Sequence, residues 1–199
     1  CTMPTLVLMR HGEAGFAARD RARPLTPRGR EEAASQARAI ARVVGGIDVA
    51  IVSEATRTRQ TLVALRSAGL AVARVWEEAS LYARGGEGLL ETLRGLDRCG
   101  IEGAVRESAD AEGGVKAEAV LVVGHEPTMS TLAGLLATRE KDLPESRGRA
   151  PFRALRGSGA ARADSFRYGF STAMAVVGHV ESWSSLAPGR MRIVDVLRP

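Results

Sequence analysis

Five short apolar runs punctuate the chain: Thr5 to Met9, Asp48 to Val52, Val72 to Trp76, Ala119 to Val123 and Ala173 to His179. Each is the length of a buried strand, and the stretches between them have helical period. Strands that lie parallel need a long crossover between them, which a helix supplies, so this alternation predicts an α/β fold. The expected architecture is one three-layer α/β/α domain over residues 1–199, with a mostly parallel central sheet. The helix candidates are Pro27 to Val43, Thr56 to Ser67, Gly88 to Leu96 and Pro127 to Ala137. Two stretches rich in small and charged residues, 100–118 and 141–167, read as surface loops. The cluster Gly85-Gly86-Glu87-Gly88 matches no complete phosphate-loop or dinucleotide pattern and reads as turn glycines.

Composition removes several alternatives. A chain of 199 residues buries about 70% of its unfolded surface, so no disulfide or metal staple is needed. The longest apolar stretch, Ala119 to Val123, is far short of the roughly 18 residues of a membrane span. With no leader pattern, Met3 read as the natural start and Cys99 the one thiol expected to be ordered, a reducing cytoplasm is expected. Neither Cys1 nor Cys99 has metal-ligand spacing, and the three histidines lack it too, so no metal and no cofactor is expected.

The net charge of +5 comes with only two lysines, Lys116 and Lys141, among 28 basic residues. Between Thr138 and Arg167, eight arginines and lysines face four acidic residues, which reads as a solvated basic rim. Aromatics there are too few, with Phe152, Phe166 and Tyr168, for a nucleic-acid surface. Neither nucleic acid nor a membrane is an expected partner.

Chemistry gathers at strand ends, where α/β folds bind their ligands. Arg10-His11-Gly12 follows the first run. Arginine offers a planar fork for phosphate oxygens, and glycine lets the backbone approach an anion. After the second run comes Ser53-Glu54-Ala55-Thr56-Arg57-Thr58-Arg59-Gln60-Thr61, with Ser53 read as a helix cap and Arg57 in the first turn, where free N–H groups favour an anion. After the fourth run comes Gly124-His125-Glu126-Pro127, with Pro127 suited to a first helical turn. Three strand ends bearing Arg or His can converge on one cationic, phosphate-sized pocket. His179, among valines on the last run, reads as a packed histidine outside it.

These motifs resemble the histidine phosphatase superfamily, the phosphoglycerate-mutase-like fold. Asp20-x-x-Arg23-Pro24-Leu25-Thr26-x-x-Gly29, Leu81-Tyr82 and the tail from Ser171-Thr172-Ala173 to Trp183 are similar to its branch of small phosphohistidine phosphatases, SixA. The resemblance implies that His11 is the nucleophile and that Arg10, Arg57 and His125, with Gly12, hold the phosphoryl oxygens without a metal. It also implies a cytoplasmic enzyme acting on a phosphorylated protein, a phosphohistidine carrier or signalling domain, with a small phosphorylated substrate as the alternative. A non-catalytic phospho-ligand module is a third reading, though it does not require two histidines. The general acid is open: Glu77 and Glu78 follow the third run, and Glu13 neighbours the Arg-His-Gly tripeptide.

Overall fold

The computed structural model describes residues 3–79, 81, 85–96, 105–106, 117–138 and 168–199. Cys99, the basic segment 141–167 and nearly all of 100–118 lie outside the described residues. The strands are β1 (Thr5–Arg10), β2 (Ile47–Val52), β3 (Val72–Glu77), β4 (Val105–Arg106), β5 (Ala119–Gly124), β6 (Ala175–Val180) and β7 (Met191–Leu197). The helices are α1 (Pro27–Val44), α2 (Thr56–Ser67), α3 (Gly85–Gly95) and α4 (Thr128–Leu136), with a short 3-10 turn at Asp20–Ala22.

The sheet order is β4-β3-β2-β5-β1-β6-β7. Its centre, β3-β2-β5-β1, is parallel, and β4, β6 and β7 flank it antiparallel. Alternation along the strands separates two cores. Leu6, Leu8, Ile51, Val120 and Val122 face Leu89 and Leu93 of α3 and Leu132 and Leu136 of α4. Val7, Met9, Ala50, Val52 and Leu121 face Ala37 and Ile40 of α1 and Leu62 and Leu65 of α2. Strands buried on both faces read as continuous apolar runs, which is why they stand out in the sequence.

Several boundaries move. Gly85 to Gly88 are the first turns of α3 and not a loop, because Leu89 and Leu93 bury against the sheet and tertiary packing overrides glycine's poor helix propensity. The last apolar run begins as strand only at Ala175. Ala173 has a φ of +54°, which no strand accommodates. Neither β7, half-buried and mixed in polarity, nor two-residue β4 carries a pattern that marks a strand.

In sheet order β2, β5 and β1 are adjacent and parallel, so their carboxyl ends stand side by side. Those ends carry Ser53, His125 and Arg10-His11.

Candidate active site

The turn after β1 is shaped by close packing. A methyl group at Gly12 would overlap the Gly29 carbonyl, and one at Gly29 would overlap the Glu13 carbonyl. The start of α1 therefore lies directly on the turn that carries His11. Thr26 caps that helix, its hydroxyl accepting from the Gly29 N–H at 3.0 Å and donating to Glu13 Oε1 at 2.8 Å.

Helix α2 holds both this turn and the approach to α1. The Thr61 hydroxyl accepts from the Gly12 N–H at 3.1 Å, and Gln60 Oε1 accepts from the Leu25 N–H at 2.7 Å. The N-cap of α2 is Ala55, so the expectation of a Ser53 cap is corrected. Ser53 Oγ instead lies 2.7 Å from His125 Nε2 and 3.2 Å from Thr58 Oγ1. Likewise Pro127 is the N-cap of α4 and not part of its first turn.

His11 is buried, with its Nδ1 at 2.7 Å from the Gly12 carbonyl. A carbonyl oxygen can only accept, so Nδ1 carries the proton and Nε2 keeps its lone pair. Arg57 Nε donates to that Nε2 at 3.2 Å. The remainder of the Arg57 fork is fixed by Asp20, through its carbonyl at 2.7 Å and its carboxylate at 3.0 Å. Burial, aided by Arg57 and Arg10 and opposed by the Gly12 hydrogen bond, lowers the His11 pKa to about 4. Burial and then Arg57 and His11 lower that of His125 to about 3. Both rings are neutral at pH 7, with centroids 5.3 Å apart.

Arg10, His11, Arg57 and His125 line one cavity of about 320 Å³, joined by Glu13, Ala14, Arg23, Glu126 and Thr172. Arg10 Nη1 donates to the Phe170 carbonyl at 2.6 Å, while its buried Nε has no hydrogen-bond partner among the described residues. A buried donor left so costs roughly 1–3 kcal/mol.

Of the three candidate acids only Glu13 lines the cavity. Glu77 ends β3 and accepts from Arg59 Nη2 at 2.6 Å on the surface, and Glu78 follows it. Among the lining residues Glu126, Arg23 and Thr172 stand within quoted motifs but carried no expected role. The Glu126 carboxylate accepts from the Ser130 N–H and hydroxyl, which turns it back over α4. His179 stands apart on β6, its Nδ1 3.1 Å from Thr5 Oγ1. Among the described residues, no three His, Cys, Asp or Glu side chains gather as metal ligands, and no helix is long and apolar enough to cross a membrane.

An arginine- and histidine-walled hollow at parallel strand ends has the charge and shape to receive an anion. Residues 6–82 match the histidine phosphatase superfamily, branch 1. That span holds Arg10-His11-Gly12 and the Ser53–Thr61 run, two of the three motifs that carry the resemblance. No curated protein matches the chain by sequence. Among solved structures the chain is similar to the SixA protein of Nakamurella multipartitia, at 28% identity and a TM-score of 0.72 over 100% of this chain and 98% of that one. The SixA protein of Agrobacterium tumefaciens shares the fold at 23% identity, TM-score 0.64, with 98% of each chain covered. So does a protein histidine phosphatase SixA complexed with tungstate, at 20% identity and TM-score 0.65 over 98% and 97%.

Proposed function

We propose that this chain is a phosphatase that hydrolyses phosphohistidine on a protein through a covalent phospho-His11 intermediate. The observation that carries the reading is the neutral His11 ring in the wall of a cavity it shares with Arg10, Arg23, Arg57 and His125, its Nε2 lone pair held by Arg57 Nε at 3.2 Å and released for attack when that donor turns to a phosphoryl oxygen. In the first step that lone pair attacks phosphorus and the substrate's P–N bond breaks, its imidazole leaving neutral after taking a proton from the medium. Water then attacks phosphorus, the P–Nε2 bond breaks and inorganic phosphate departs. Charge on the three equatorial oxygens is met by fixed cationic donors, the main contribution a protein makes to phosphoryl transfer.

Substrate choice follows from the leaving group. An alkoxide needs a positioned acid, worth about 10² to 10⁴-fold, whereas an imidazole of ordinary pKa near 6.5 does not. Glu77 and Glu78 lie outside the cavity lining, and Glu13 is bonded to Thr26, which supports the acid-independent reading.

The test compares metal-free kcat/KM on a histidine-phosphorylated protein, an aryl phosphate and an alkyl phosphate, with alkaline-detergent quenching to trap the acid-labile phosphoenzyme. Phosphohistidine is expected to be preferred, and His11→Ala to lose both turnover and label while staying folded. Alkyl phosphates turned over as well as phosphohistidine would make this a phosphomonoesterase, with Glu13 or Glu126 as its acid. A His11→Ala variant keeping more than a few per cent of activity would remove His11 as nucleophile.

A further inference from the structure

Beside the phosphate cavity lies a wider hollow of about 550 Å³, walled by the loop Ala14 to Ala18 with Asp20 and Arg23. Ala14 and Arg23 are walls of both hollows, whereas Phe16 belongs to the outer one alone. The Phe16 side chain is 91% exposed. A scattered surface aromatic is ordinary, but here three alanines extend the apolar surface around it into a patch at the mouth of a reaction site.

The patch stands on a fixed base. Ala14 bridges Leu25, the Gly15 N–H donates to the Pro24 carbonyl at 2.8 Å, and Arg23 Nε donates to the Gly15 carbonyl at 2.8 Å. Arg57 holds the loop's far end through the Asp20 carbonyl. The backbone on either side of Phe16 is thus held in place, so presenting the ring to a partner costs little loop ordering. Charge beside it is mixed but leans basic: Arg21, Arg23 and Arg28 pair with Glu54, Asp20 and Glu32, while Arg19 and Arg30 add positive charge outside those pairs.

Resting on the phosphohistidine reading of the adjoining cavity, we propose that the Phe16 hollow docks the protein that presents the phosphohistidine, by an apolar contact ringed with acidic side chains. A small phosphate enters the cavity without meeting Phe16. A phosphohistidine on a folded domain cannot, because the surface around that residue must settle on the cavity rim, and Phe16 stands on it.

The experiment uses the full chain, Phe16→Asp and Phe16→Leu, with an acidic histidine-phosphorylated phosphotransfer domain, free phosphohistidine and p-nitrophenyl phosphate as substrates. Phe16→Asp is expected to raise KM for the phosphorylated domain at least tenfold, leave kcat/KM on both small substrates within twofold, and keep the melting temperature. Phe16→Leu is expected to restore most of the affinity. Unchanged KM on the domain, or equal losses on domain and small substrates, overturns the docking surface while leaving the reaction intact. A wild-type chain that hydrolyses p-nitrophenyl phosphate but no phosphohistidine overturns the functional reading and the docking surface together. A dimer, or binding to anionic vesicles, that Phe16→Asp abolishes would assign the hollow to a second copy or a lipid surface instead.

Discussion

Arg57 is held on three sides: Nε against His11 Nε2, Nη1 and Nη2 against Asp20. Its side chain is only 7% exposed, so a guanidinium plane is fixed against the nucleophile before any substrate arrives. A lysine keeps the charge but offers one flexible point in place of a planar fork. Arg57→Lys is therefore expected to lower kcat/KM by at least about 100-fold, or roughly 2.7 kcal/mol, read by steady-state kinetics on an aryl phosphate. A near-normal variant would show that the fork is not aimed at the reacting oxygens. Arg10, His11, Arg57 and His125 were legible in the sequence because each follows an apolar run that ends in the same crevice. Asp20 and Arg23 were visible only as parts of a motif. Their place depends on a contact that spans 37 residues of chain, from Arg57 to Asp20, and no local pattern encodes such a distance.

At the scale of elements, the site exists because α1 and α2 both press on the turn after β1. Gly29 belongs to the first turn of α1 and admits the Glu13 backbone where any side chain would collide with it. Gly29→Ala must push that turn away, an overpacking cost of about 2 kcal/mol, or roughly 4 to 8 °C in Tm for a chain of this size. Activity should fall with it, since the displaced backbone carries His11 and Gly12. Gly134→Ala, on an exposed helical position with open space around it, is the control and should raise Tm slightly. Calorimetry on the pair checks both directions, and an unshifted Gly29→Ala would mean that the contact between α1 and the turn is soft. The central parallel strands and α1, α2 and α4 were readable from apolar period. What was not readable obeys tertiary rules: α3 begins three residues early in a glycine cluster because its leucines reach the sheet, and β7 pairs with β6 through backbone bonds that its mixed side chains do not announce.

For the whole molecule, folding costs the two site histidines their protons. An unfolded chain holds them near the ordinary value of 6.5, whereas in the native state burial lowers His11 to about 4 and His125 to about 3. His179 is lowered as well, by burial and then Arg192. The unfolded state therefore binds more protons wherever pH lies between the native and unfolded values, and stability rises with pH across that window. The contribution is complete above about pH 6.5 and is lost as pH falls toward the native values. Between pH 7 and 5 ordinary carboxylates stay ionised, so the histidines dominate the change. Denaturant unfolding over that range is expected to show the folded chain growing steadily less stable toward pH 5, with an uptake on unfolding that reaches about two protons or slightly more at the acid end. The double variant His11→Asn, His125→Asn should flatten most of the slope. A wild-type stability independent of pH over this range would mean that the two rings are not held neutral, and with that the lone pair proposed to attack phosphorus would be lost. Chemistry and stability are thus tied to one cause: the burial that keeps His11 unprotonated near pH 5 also makes the fold resist acid less well.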